Sequence, residues 1–237
     1  MNNSYAEKPD FDKCIEAATD LLYQQDDLFT FNLDIRKLKY DRTIYFDSVQ
    51  DYCVQVGVPI RRVMFGKNRL LKEGCTVKGD DFYLVLYNEE RRSFERQQWT
   101  MAHEIGHIYL EHEKDEDKEE AEAHCFTGQL FMPDYSLYRI FKDFNGACAS
   151  DIAAIFRVSN AAAQRRWNTF FRKKTVHAGK KDRAIWEMQR EKVELYFYCK
   201  QNGLAFNHEF FRYGKKREQL KQTDMISSFS ELSNLFV

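Results

Sequence analysis

Proline and glycine are scarce, 3 and 10 in 237 residues, so few turns can be made and long helices are favoured over a many-stranded sandwich. No stretch approaches the eighteen or so apolar residues that span a bilayer. Met1 to Asp10 holds neither a basic segment nor an apolar signal core, so the expected location is the cytoplasm and no membrane partner is expected. The six cysteines (Cys14, Cys53, Cys75, Cys125, Cys148, Cys199) include no C-x-x-C pair and read as reduced, structural thiols, not a disulfide frame. Neither sign of charge dominates, with 36 basic and 37 acidic side chains, so any attraction to nucleic acid must come from a local patch. A hydrophobic content of 43% excludes a chain that is mainly disordered. The length fits one catalytic-sized unit plus an appendage.

Periodicity supplies the coarse elements. Asp10 to Gln25 places Phe11, Ile15, Ala18, Leu21 and Leu22 on one helical stripe, and Asp47 to Val56 reads as a second helix. Pro59 to Phe65 reads as β-rich, and Phe82 to Tyr87 is the stronger strand. Beyond Asn88 the chain is helix-compatible as far as His112. Two later charge blocks stand out. Glu111 to His124 carries eight acidic residues against two lysines, the mark of a solvated face. Arg165 to Arg183 carries eight basic residues against one aspartate and is the one patch able to meet phosphate. Helical stretches are also expected around Glu187 to Lys200 and Asn207 to Lys221.

The decisive string is Met101-Ala102-His103-Glu104-Ile105-Gly106-His107. H-E-x-x-H on a helix sets two imidazoles one turn apart on a single face, where both can hold one Zn²⁺. A catalytic zinc takes three protein ligands and keeps one position open for water. His103 and His107 supply two ligands, and Glu104 is placed to act as general base on that water. Mn²⁺ or Co²⁺ could serve at such a site. The metzincin pattern, with a histidine ligand six residues past His107, fails, because Glu113 stands there and Leu110 replaces the glycine that pattern needs. His112, five residues on, falls about 140° off the metal face if the helix continues. A carboxylate from the next helix is the other solution, and in Glu119 to Leu130 the choice falls on Glu122, with Glu119 behind it. An oxyanion stabiliser is also needed; Tyr109, His124 and Tyr135 are within sequence reach and none is assigned.

From Tyr87-Asn88 through Met132-Pro133 the chain resembles the ImmA/IrrE metallopeptidases. Their pattern is a strand ending in Asn, a helix with A-H-E-[LI]-G-H, then E-x-E-A-N-x-F-A and L-x-M-P. Ala102 to His107, Glu120-Ala121-Glu122-Ala123, Phe126 and Met132-Pro133 fit. His124 stands for the usual Asn, Thr127 for Ala and Phe131 for Leu. The resemblance places the third zinc ligand on Glu122. It implies an α+β, zincin-like core with a small β-sheet and the HEXXH helix, followed by a helical C-terminal region. It also implies a zinc-dependent endopeptidase whose protein substrate is a transcriptional repressor.

Ser150 to Trp167 reads as helix, short turn, helix, with Ile152, Ala153 and Phe156 facing a core and Ser159 or Asn160 capping the second helix. An αα-hairpin packed on the peptidase core is the simpler reading, because the turn lacks glycine. A helix-turn-helix DNA-binding regulator with a zincin-like sensor or docking domain is the alternative. It would work through Arg165, Arg166, Arg172 and Lys173. The expected organisation is therefore a peptidase domain over 1–145, a helical hairpin over 146–174 and a helical extension over 175–237.

Overall fold

The computed structural model of the chain describes residues 8–25, 33–64, 73–90, 93–114, 116–173, 175–176 and 178–206. Asp10 caps α1 (Phe11–Tyr23) by accepting from the Lys13 N–H. A turn of 3₁₀ helix at Ile35–Lys37 precedes β1 (Ile44–Ser48). Ser48 then ends the strand and caps α2 (Val49–Val56), which stops at Gly57 in the left-handed region. The run expected to be β-rich folds instead as a short helix, α3 (Ile60–Met64). Ile60, Val63 and Met64 recur at one-turn spacing and pack on Val49 and Cys53 of α2, which outweighs their β propensity.

The sheet has three strands in the order β1, β3, β2. The central strand, β3 (Tyr83–Tyr87), pairs parallel with β1 and antiparallel with β2 (Gly74–Lys78), so that Val85 stands between Phe46 and Thr76. Strand β2 is not foreseen from the sequence. Its Gly-Cys-Thr-Val-Lys string is short and half polar, as edge strands often are.

Helix α4 (Phe94–Leu110) starts where the Ser93 hydroxyl accepts from the Arg96 N–H. It ends two residues earlier than expected, because Glu111 adopts φ 60°. Helices α5 (Asp117–Phe131) and α6 (Asp134–Asp143) follow, separated by Met132-Pro133, whose proline cannot continue a helix. Asp117, Glu119 and Glu120 occupy the first turn of α5, where the helix dipole favours negative charge. Then come α7 (Ala149–Phe156), α8 (Asn160–Arg172) and α9 (Lys180–Gln201). The expected α+β organisation is what forms. The helix expected over Asn207 to Lys221 lies outside the described residues.

One buried core runs from Cys14 of α1 through Val85, Met101, Ile105 and Phe126 to Trp186 and Phe197 of α9. Helices α4 and α5 meet most tightly at Gly106, where a Cβ would come within 3.2 Å of Ala123 Cα and Phe126 Cδ1. That approach brings the HEXXH segment directly against the acidic start of α5. Among the described residues no helix is long and apolar enough to cross a membrane.

Candidate metal centre

His103 and His107 lie one turn apart on α4, and their Nε2 atoms converge to 3.2 Å. The carboxylate that joins them comes from the first turn of α5. Glu120 Oε2 lies 3.3 Å from His103 Nε2, and Oε1 lies 3.7 Å from His107 Nε2. Among the described residues these three side chains form the group whose ligand atoms all fall within 4.8 Å of one another. Two imidazole nitrogens and a carboxylate oxygen are a donor set suited to a divalent transition ion. His103 Nδ1 is buried without a hydrogen-bond partner among the described residues. The Glu120 carboxyl is held down to about 2, first by its hydrogen bond with His103, against burial, which acts the other way. It is therefore anionic across the neutral range.

Glu122 is not brought to the pair. A step of two residues on a helix is a rotation of about 200°, which turns its side chain away from Glu120. Glu122 Oε1 accepts from the Asp10 N–H at 2.7 Å, and Oε2 lies 2.9 Å from His112 Nε2. Glu120, and not the expected Glu122, is thus the carboxylate brought to the histidine pair, and Glu119 is not part of the group either. The signal that separates Glu120 from Glu122 is the phase of α5. Ala123 must sit on Gly106, and Glu120, one turn before Ala123, shares that side.

Glu104 follows His103 on the same helix and lines the same cleft. Thr76 of β2 donates its hydroxyl to Glu104 Oε2 at 2.8 Å. Gly74, two residues earlier, lets the strand approach the helix: a Cβ there would stand 2.5 Å from Thr100 Cγ2 and 3.2 Å from Glu104 Oε1. Neither neighbour of Glu104 stands out in the sequence, because both belong to the strand whose pattern is too short and polar to mark it.

The cleft has a volume of about 1490 Å³. Strand β2 forms one wall through Gly74, Cys75, Thr76 and Lys78, and α8 forms another through Ala162, Arg165 and Thr169. Of the three oxyanion candidates, His124 alone lines the cleft. Its ring lies 4.5 Å from that of His103, centre to centre. Burial, and then repulsion from His103, push the His124 imidazole below its ordinary range, so it is neutral at neutral pH. Tyr109 instead donates its hydroxyl to Asp41 at 2.7 Å, and Tyr135 stacks on Tyr138.

The second helix of the hairpin, α8, lines the cleft, and two of the four basic residues expected as a contact surface, Arg166 and Lys173, are engaged within the molecule. Arg166 is buried and donates to Met132 O at 3.1 Å and Gln129 Oε1 at 2.7 Å. It also pairs with Asp134, as does Lys173. As a DNA or partner contact Arg166 is therefore corrected: its guanidinium satisfies the carbonyl end of α5 and does not face solvent. Arg165 and Arg172 are exposed.

Comparison with protein-family models matches residues 53–168 to the IrrE N-terminal-like domain, a peptidase family. No curated protein and no solved structure matches the chain.

Proposed function

The chain belongs, through residues 53–168, to the metallopeptidase family of IrrE N-terminal-like domains, and on that premise we propose that it is an endopeptidase in which His103, His107 and Glu120 hold a catalytic cation and Glu104 is the general base. The observation that carries this reading is the convergence of two Nε2 atoms and one carboxylate on a single point, on a cleft that Glu104 also lines. A divalent cation in that triangle, zinc by the chemistry of the donors with manganese or cobalt as substitutes, would supply Lewis acidity to the attacking water and the scissile carbonyl.

The remaining work falls to side chains of the chain itself. Glu104 takes the proton of the attacking water on a carboxylate oxygen and returns it to the leaving amine nitrogen. The Thr76 hydroxyl on Oε2 helps fix the rotation of that carboxylate. Neutral His124, beside His103, offers a ring N–H to the charge that develops on the carbonyl oxygen. Strand β2 is an edge strand on the cleft, so an extended peptide can add to it by main-chain hydrogen bonds. A cleft this large suits a stretch of polypeptide better than a small metabolite. Within this reading the substrate is a protein, and the ImmA/IrrE resemblance makes it a transcriptional repressor acted on in the cytoplasm.

Glu104→Gln tests the reading. Incubated with a repressor substrate, the metal-loaded variant is expected to lose at least about 100-fold in cleavage rate. Sequencing of the fragments identifies the bond cut by the unmodified protein, and metal content and fold should be retained. Cleavage at an undiminished rate by Glu104→Gln would remove the general base and the mechanism with it.

A further inference from the structure

A line of hydrogen bonds leaves the ligand triangle through His107. His107 Nδ1 lies 3.0 Å from His112 Nδ1, His112 Nε2 lies 2.9 Å from Glu122 Oε2, and the Asp10 N–H donates to Glu122 Oε1 at 2.7 Å. The links are sheltered, with the side chains of His112 and Glu122 only 6% and 9% exposed. A carboxylate so nearly buried is costly unless it is hydrogen-bonded, and both its oxygens are.

With neutral rings, the protons along this line can be placed so that every link has one donor and one acceptor and His107 Nε2 keeps its lone pair. His107 carries its proton on Nδ1 and donates it to His112 Nδ1. His112 carries its proton on Nε2 and donates it to Glu122 Oε2. The Nε2 lone pair of His107 then points at Glu120 and His103, where a cation would sit. Opposite protonation of His112 would leave two N–H groups facing one another at 3.0 Å.

We propose that His112 and Glu122 are positioning residues for His107, a relay that fixes its tautomer and ring orientation for metal binding and is anchored on the backbone of Asp10. The inference rests on the metal-site reading above. It gives Glu122 a role at one remove from ligation: its charge draws proton density along the line and raises the basicity of His107 Nε2. His103 has no such support among the described residues, since its Nδ1 is buried and unpartnered. The two imidazoles are thus unequal ligands. A buried hydrogen bond that merely tied α1 to α5 would need no histidine between Glu122 and a metal ligand, and no particular tautomer.

The test uses the full chain, with Co²⁺ as the probe in competition with a chelator and thermal unfolding of the metal-free protein measured alongside. His112→Phe is expected to weaken Co²⁺ binding by about 10- to 100-fold. Glu122→Gln keeps an oxygen to accept the His112 N–H and should weaken binding less than Glu122→Leu does. Nitrogen-15 spectra of the unmodified, Zn²⁺-loaded protein should show His107 protonated at Nδ1 and His112 at Nε2, a readout independent of whether any variant folds. Unchanged Co²⁺ affinity in His112→Phe, or His112 protonated at Nδ1, overturns the relay while leaving the metal site standing. An unmodified protein that takes up no Co²⁺ overturns the site and the relay together.

Discussion

Position 74 shows how much of the chemistry depends on a missing side chain. Its would-be Cβ meets Thr100 Cγ2 at 2.5 Å and Glu104 Oε1 at 3.2 Å, so any larger residue must shift Thr100 or β2 and presses on Glu104, the proposed general base. Gly74→Ala is expected to cost roughly 1–3 kcal/mol in stability, read as a lowered urea midpoint. Because Glu104 is one of the groups pressed, cleavage should fall through kcat more than through KM. Glu120 and Glu122 carry the same functional group two positions apart and have opposite assignments. In the sequence both sit inside one acidic run, and spacing alone does not choose between them. What chooses is the fit of Ala123 against Gly106, a contact between two helices that no single-segment pattern contains.

At the scale of elements, the body of α4 is legible because the chain beyond Asn88 is helix-compatible and the histidine pair has one-turn spacing, whereas its Ser93 start and its buried stripe of Met101, Ile105 and Ile108 are known only from the structure. Ser93→Ala removes the oxygen that accepts from the Arg96 N–H, and its expected cost is about 1 kcal/mol by thermal unfolding, without change in metal affinity. The end of α4 is not legible. His112 stands about 140° from the metal face only if the helix goes on. Glu111 in the left-handed region stops it, the His112 N–H donates back to His107 O at 3.0 Å, and the imidazole swings against His107. A non-glycine residue in that conformation leaves no strong mark in the sequence. The same local ambiguity makes α3 read as β structure and hides β2. These short runs, one apolar and one half polar, gain their identity from α2 and β3, the elements they pack on or pair with.

For the molecule as a whole, the helical C-terminal region is tied together through a buried carboxylate. Asp151 of α7 is 2% exposed and accepts from the Tyr196 hydroxyl at 2.8 Å, Lys200 Nζ at 2.6 Å and the Cys148 N–H at 2.9 Å. Burial alone would raise its carboxyl, but Lys200, Cys148 and Tyr196 outweigh burial and hold it below the ordinary range. The folded state therefore binds this proton less readily than the unfolded chain. The stability so gained is present above the unfolded value and is lost as the pH falls, starting at about pH 5. Urea midpoints measured from neutral pH downward should decline for the unmodified protein and run flatter for Asp151→Asn. The contact of Gly106 with Ala123 reaches further still. Two helices packed at that distance have little room to slide or tilt, so the proposed metal socket would be formed when the chain folds and not when it is filled. Amide exchange in α4 and α5 should then slow on loading only by the overall gain in stability that binding brings, with no segment newly ordered. The speed of uptake would be set by the ion shedding its hydration water.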